Sequence, residues 1–123
     1  MRSDLQGIYQ RIGGEKALRL ILHDFYSRMA EDIMIGFFFD GKDLAAIAQK
    51  QGDFLMRAMG ARESFSGKAP AQAHLEIAPI LSGHFDRRLQ ILEDTLRAHK
   101  VTDEDIRTWV EFESLFRAAI VSS

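Results

Sequence analysis

EKALRLILHDFYSRMAED, residues 15–32, is the stretch that decides the fold class of this chain. Its large apolar side chains recur at spacings of three and four residues and share one face of a helix: Leu18, Ile21, Leu22, Phe25, Tyr26 and Met29. Such spacing is typical of an amphipathic α-helix that buries one face. The stretch therefore predicts a helix packed against a core, and Gly13 and Gly14 mark the end of the segment before it.

The same period returns in three later segments. Asp43 is a predicted N-cap, and one side of the helix that follows it carries Leu44, Ile47, Ala48, Gln51, Leu55 and Met59. A long helix further on has the inner face Phe85, Leu89, Leu92 and Leu96. Thr102 begins the last helix, whose apolar residues are Ile106, Trp109, Val110, Phe116 and Ile120. No stretch has the period of two that strands need, so the sequence predicts an all-α protein with a single domain over residues 1–123.

Two segments break the helical period. GFFFDG, residues 36–41, places three phenylalanines between two glycines, and we expect these side chains to fold back over an apolar surface. RESFSGKAP, residues 62–70, is a predicted loop, and Pro70 suits the first turn of a short helix that ends near Pro79.

The composition excludes several classes of function. A formal net charge of −2 gives no electrostatic reason to bind nucleic acid or an acidic membrane. No apolar run approaches the roughly 20 residues of a membrane span, and the first ten residues lack the pattern of a signal peptide. The chain has no cysteine, which excludes disulfides, cysteine-ligated metal sites and thiol catalysis and fits a reducing cytoplasm.

Two polar side chains lie on apolar helix faces. Gln51 is in the middle of its face and Tyr26 is on the shoulder of the earlier one. A buried amide or phenol needs a hydrogen-bond partner. One interpretation is that the two side chains bond each other or a backbone carbonyl, and the other is that both point at a small polar ligand in an apolar cavity.

His74 stands alone in AQAHLEIAP, residues 71–79. A single histidine on an apolar face is commonly a packed core residue. As a metal ligand it would act alone, because no second histidine, cysteine or acidic cluster accompanies it at ligand spacing. One protein ligand suffices when the metal brings its own equatorial ligands, as the iron of haem does.

Five motifs together resemble the successive landmarks of the truncated haemoglobins. They occur in the order and near the spacing of that family and cover nearly the whole chain: IYQRIGGEKAL (8–18), DFYSRM (24–29), FFFDG (37–41), KQGDFL (50–55) and FSGKAPAQAHLEI (65–77). The resemblance implies a globin-like, truncated two-over-two helical sandwich enclosing haem b, iron protoporphyrin IX.

The resemblance also implies roles for individual residues. His74 would be the proximal iron ligand, and Tyr26, with Gln51 as its partner, would donate hydrogen bonds to a diatomic ligand on the distal side. Lys50 would reach a haem propionate. The remaining side chains would contact the porphyrin or line the pocket: Phe39, Phe38, Phe25, Ile47 and Leu55.

The resemblance to the family's subgroups is mixed. The tyrosine and glutamine without a distal histidine resemble the first group, whereas the spacing of HLEIAPILSGHF, residues 74–85, resembles the third. The third group tends to carry tryptophan where this chain has Arg88. We therefore expect either that this helix is rotated or that Arg88 reaches a propionate or solvent.

The leading functional hypothesis is a cytoplasmic haem protein, monomeric or weakly homo-oligomeric, that reversibly binds dioxygen and also nitric oxide or carbon monoxide. A second hypothesis is a nitric oxide dioxygenase or peroxidase-like enzyme, which would need an external reductase because the chain is too short to include one. A third is a haem-free helical domain that binds a protein partner through an apolar patch.

Overall fold

The computed structural model describes residues 3–61 and 79–121, and every regular element in these ranges is a helix. The helices are α1 (Ser3–Ile12), α2 (Glu15–Glu31), a 3-10 helix (Gly36–Phe39), α3 (Leu44–Ala58), α4 (Ser82–Ala98), α5 (Asp103–Ser114) and α6 (Arg117–Ile120). The predicted loop at 62–70 and the short helix after it lie outside the described residues. None of the described helices is long and apolar enough to cross a membrane.

Helix α2 is the central element of the described residues. It packs against α1, α3, α4 and the 3-10 helix, and α4 packs in turn against α5. The helices α2 with α3 and α4 with α5 thus form two adjoining pairs. All six of the predicted inner residues of α2 are buried: Leu18, Ile21, Leu22, Phe25, Tyr26 and Met29.

The turn between α1 and α2 depends on its two glycines. Gly13 has φ 114° and Gly14 has φ 84°, a region that residues with a Cβ rarely enter. The Gly14 amide donates to the Tyr9 carbonyl at 2.9 Å and satisfies one carbonyl at the end of α1. The reversal brings α1 back against α2 and α5.

Helices α2 and α3 approach each other closely at Gly52. A Cβ at this position would lie 2.4 Å from Nη1 of Arg19. That guanidinium donates to the Gln49 carbonyl at 3.0 Å and to Oδ1 of Asp53 at 2.9 Å. The missing side chain therefore lets Arg19 bind α3, which fixes the position of Gln51 relative to α2.

Both predicted helix caps are confirmed. Oδ1 of Asp43 accepts from the Ala46 amide at 3.1 Å, and Oγ1 of Thr102 accepts from the Asp105 amide at 3.2 Å. His84 also has a capping role, because its Nδ1 accepts from the Leu81 amide at 3.0 Å. These contacts fix where α3, α4 and α5 begin.

The last predicted helix is two helices in the structure. At the end of α5 the Leu115 amide donates to the Phe112 carbonyl and the Phe116 amide donates to the Glu113 carbonyl, both at 3.2 Å. These bonds span three residues, so they tighten the last turn and end α5 before α6 begins. The turn packs Phe116 against Phe54, with ring centres 5.7 Å apart. Tertiary packing therefore overrides a helical period that continues through the break.

An ion pair joins the first helix to α5. Nε and Nη2 of Arg11 donate to both carboxylate oxygens of Asp105 at 2.9 and 2.8 Å. These bonds hold the pKa of the Asp105 carboxyl below its usual range. A carboxyl whose pKa is lower in the folded state stabilises the fold above its unfolded pKa, and this contribution is lost as the pH falls through the folded value.

We expect acid to weaken the fold partly through Asp105. The free energy of unfolding should fall as the pH drops below about 4, the usual aspartate pKa, and the fall should be smaller in Asp105→Asn, which has already lost the charge. Urea unfolding at neutral and acid pH measures this difference. The exposed Asp103, in the same helical turn, provides the control Asp103→Asn. If the free energy of unfolding of Asp105→Asn depended on pH as strongly as that of the unaltered protein, the stabilising role assigned to the Asp105 carboxylate would be wrong.

Candidate functional site

The predicted distal phenol lies in an aromatic environment. Tyr26 is 7% exposed, and its ring centre is 5.3 Å from that of Phe25 and 6.0 Å from that of Phe39. The Phe39 ring meets Tyr26 edge-on, at an interplanar angle of 77°. The structure therefore brings together three residues that the sequence placed in one pocket.

The phenylalanine segment folds back as expected, though not with all three rings. Phe38 and Phe39 are half-buried, whereas Phe37 is 49% exposed. The Phe38 ring is 4.1 Å from Phe37 and 5.1 Å from His84, between ring centres. Phe38 thus packs from the 3-10 helix against the start of α4.

The predicted site residues of α3 differ in burial. Leu55 is buried, Ile47 and Gln51 are half-buried, and Lys50 is exposed. Nε2 of Gln51 lies 3.4 Å from Oε2 of Glu113 on α5. Within the described residues Gln51 therefore bonds a carboxylate, whereas one interpretation of the sequence expected Tyr26 or a backbone carbonyl as its partner.

Glu113 and Arg88 form an ion pair inside the helical sandwich. Nη1 of Arg88 donates to Oε1 of Glu113 at 2.8 Å, and the two side chains are 19% and 6% exposed. The guanidinium carbon lies 5.2 Å from the centre of the Phe25 ring, and the guanidinium also contacts the Tyr26 hydroxyl. We call Tyr26, Gln51, Arg88 and Glu113 the buried polar cluster.

The cluster shifts the pKa values of Tyr26 and Arg88. Burial raises the pKa of the Tyr26 phenol, the charge of Arg88 opposes this rise, and the charge of Glu113 adds to it. Burial alone would lower the pKa of Arg88, but Glu113 and Tyr26 raise it above its usual value. At neutral pH the cluster therefore holds a protonated phenol beside a charged guanidinium.

The expected contact of Arg88 with a propionate stays a prediction. Arg88 does not extend into solvent, because its side chain is only 19% exposed and bonds Glu113. It is on the inner side of α4, three residues after Phe85 and four before Leu92, both buried. Glu113 was missed because carboxylates are seldom buried. Its spacing could have predicted its burial, because Glu113 follows the buried Trp109 by four positions and so lies on the same face of the helix. Arg88, on the neighbouring helix, supplies the opposite charge.

The comparison with protein families decides the identity of this arrangement. The model of the bacterial-like globin family matches residues 7–122. This chain belongs to the bacterial-like globin family. The resemblance stated from five motifs is thereby confirmed.

Relatives and solved structures agree with this membership. A group 1 truncated hemoglobin of Tetrahymena pyriformis is 32% identical over 98 residues, which cover 80% of each chain. One of Synechocystis is 32% identical over 100 residues, covering 79% of this chain and 81% of that protein. The ferric structure of the Tetrahymena pyriformis protein matches with TM-score 0.85 at 28% identity, covering 94% of this chain and 98% of that one.

A 2/2 hemoglobin of Synechococcus, solved in the cyanomet state with covalently attached heme, matches with TM-score 0.86 at 28% identity, covering 94% of this chain and 98% of that one. The globin is therefore a truncated two-over-two haemoglobin by fold, and haem is its cofactor. Family membership favours the haem-binding hypothesis over a haem-free interaction domain.

The chemistry of the described side chains fits haem. A porphyrin needs an aromatic and aliphatic slot with a few polar groups, and Tyr26 and Gln51 supply a phenol and an amide beside Phe25 and Phe39. His74, the predicted axial ligand, lies outside the described residues.

The ion pair of the buried polar cluster gives a stability prediction for this globin. Arg88→Met leaves Glu113 buried without its partner and should lower the free energy of unfolding by about 3 kcal/mol. Adding Glu113→Gln should restore most of that loss, because the remaining amide can bond Gln51 without a buried charge. Urea unfolding of the haem-loaded variants, at one protein and haem concentration, measures both values.

An equal loss in the single and the double variant would mean that the lost packing of Arg88 on Phe25, and not the unpaired carboxylate, causes the effect.

Proposed function

We propose that this globin reversibly binds dioxygen, and also nitric oxide and carbon monoxide, at haem iron held by His74, with Tyr26 and Gln51 on the ligand side. The family supports binding of diatomic ligands in general. The observation that carries the finer proposal is the burial of the Tyr26 phenol against Phe39 with a guanidinium at its oxygen. Haem supplies the iron to which the ligand binds.

The contact with Arg88 prepares the phenol to act as a donor. A guanidinium has only N–H donors, so the Tyr26 oxygen can only accept from Arg88, and the phenol's own proton stays available for a ligand. Because burial also raises the pKa of Tyr26, that proton is retained at neutral pH. A ligand with partial negative charge next to Tyr26 would therefore be stabilised by a neutral donor that is already oriented.

Gln51 can act as the second donor. One N–H of its amide points to Glu113 at 3.4 Å, and the amide has a second N–H with which it could donate to a ligand. The close approach of α3 to α2 at Gly52 limits how far Gln51 can move from Tyr26. Two fixed donors lower the dissociation rate about tenfold for each 1.4 kcal/mol that they contribute.

The remaining assignments concern the haem itself. We propose that Phe39, Phe38, Phe25, Ile47 and Leu55 line its pocket. We also propose that Lys50 contacts a propionate at the solvent edge, a role that its exposure and its position next to Gln51 on α3 support. His74 is the proximal ligand in this proposal because the matched family region includes it.

The cellular setting follows from the same proposal. We propose that residues 1–123 form one domain, that the protein is cytoplasmic, and that it is a monomer or weak homo-oligomer. A cellular reductase would return the iron to the ferrous state after oxidation. On the ligand side the proposed tyrosine and glutamine pair resembles the first group of the family.

Tyr26→Phe should speed the dissociation of dioxygen by about ten- to a hundredfold, since a hydrogen bond of roughly 1.4–2.7 kcal/mol is lost. Stopped-flow displacement of dioxygen by carbon monoxide from the ferrous protein measures the rate. Tyr9→Phe is the matched control, because Tyr9 is the other tyrosine of the chain and lies on α1. An unchanged rate in Tyr26→Phe would remove Tyr26 from the ligand side.

A further inference from the structure

The Arg88–Glu113 pair is more than the fold requires. Taking two charges out of water costs several kcal/mol for each ion, and replacing a buried pair by apolar residues is often neutral or stabilising. The binding of a diatomic ligand needs only neutral donors such as Tyr26 and Gln51. A charged pair next to those donors therefore calls for a reason other than stability.

Among the described residues, Arg88 uses only part of its hydrogen-bonding capacity. Of its five N–H groups, Nη1 donates to Glu113 at 2.8 Å, and the guanidinium also contacts the Tyr26 hydroxyl. Its guanidinium carbon lies 5.2 Å from the centre of the Phe25 ring, and that ring is 5.3 Å from the ring of Tyr26. The side chain thus lies beside the phenol, with more N–H groups than its contacts within the described residues use.

We propose that Arg88 determines ligand specificity, so that this globin binds small inorganic anions, of the class of azide and nitrite, more tightly than a neutral pocket of the same shape would. The inference rests on the proposed function, because it places the ligand beside Tyr26. Glu113 limits the preference by compensating the charge of Arg88.

The position of Arg88 carries this step, because its guanidinium carbon lies 5.2 Å from the centre of the Phe25 ring and that ring is 5.3 Å from the ring of Tyr26. At the Tyr26 hydroxyl, the charge of Arg88 has a larger effect than the opposite charge of Glu113. The pair therefore leaves a net positive electrostatic potential at the phenol. This potential acts strongly on a charged ligand, because the site is buried and has a low dielectric constant. An anion beside Tyr26 would be stabilised, whereas a neutral ligand such as carbon monoxide would gain little.

Two variants separate the charge of Arg88 from its structural role. Glu113→Gln keeps the size of the side chain and one oxygen that can accept from Arg88, but it removes the negative charge that compensates Arg88. Arg88→Met with Glu113→Gln removes both charges without leaving a carboxylate unpaired. Glu93→Gln is the matched control, since it makes the same change of net charge on α4, at a residue whose side chain is 38% exposed.

Azide affinity of the haem-loaded ferric proteins is measured by absorption titration, and carbon monoxide affinity is measured on the ferrous proteins. Azide should bind at least about tenfold more tightly to Glu113→Gln than to the unaltered protein, a difference of about 1.4 kcal/mol. It should bind about tenfold more weakly to the double variant. Carbon monoxide affinity should change by less than about threefold in both.

The C–O stretching frequency of bound carbon monoxide provides a readout that does not depend on affinity. A more positive potential at the ligand lowers this frequency. We expect it to fall in Glu113→Gln, to rise in the double variant, and to be unchanged in Glu93→Gln.

Equal azide effects in Glu113→Gln and Glu93→Gln would overturn the proposal, because net charge alone would then explain them. Parallel changes in azide and carbon monoxide affinity would also overturn it, because they would indicate altered pocket shape. Failure of the proposed function is a separate result: dioxygen dissociation would be unchanged in Tyr26→Phe while the azide affinities still followed Arg88.

Discussion

The ion pair between Arg88 and Glu113 is the constraint on which the site depends. Neither charge can be buried alone without a large cost, so α4 and α5 must keep their inner faces in register. Arg88 then contacts Tyr26 on α2, and Glu113 bonds Gln51 on α3. The ion pair between α4 and α5 thereby contacts both proposed ligand donors, one on α2 and one on α3.

The same constraint explains how an apolar pocket keeps its donors in a defined state. Tyr26 is protonated because burial disfavours the phenolate, and it is oriented because its oxygen faces the guanidinium. Gly52 and Arg19 hold α3, which carries Gln51, against α2, which carries Tyr26. The packed helices thus restrict the movement of the two proposed donors, as a preorganised ligand site requires.

Most of the fold could be predicted from the sequence because it depends on local pattern. The faces of α2 and α3, the caps Asp43 and Thr102, and the turn at Gly13 and Gly14 each follow from a few neighbouring residues. The break between α5 and α6 could not be predicted, since no proline or glycine marks it. It depends on the packing of Phe116 against Phe54, which are far apart in the sequence.

The site was predictable in part for the same reason. The motif resemblance placed Tyr26 with Phe25 and Phe39, and the structure brings these rings together. The partner of Gln51 could not be found from α3 alone, because Glu113 belongs to a helix 62 residues later. The available signal was the presence of two opposite charges, Arg88 and Glu113, on the inner faces of neighbouring helices. Each charged side chain, considered alone, is expected to be exposed to solvent.

The most direct test is a crystal structure of the haem-loaded ferric protein with azide bound. The account predicts His74 on the iron at one face of the porphyrin, and azide at the other face within about 2.5–3.2 Å of the Tyr26 hydroxyl. Azide on a face lined by other residues, with Tyr26 and Arg88 remote from it, would contradict the claim that the buried polar cluster is the ligand site of this globin.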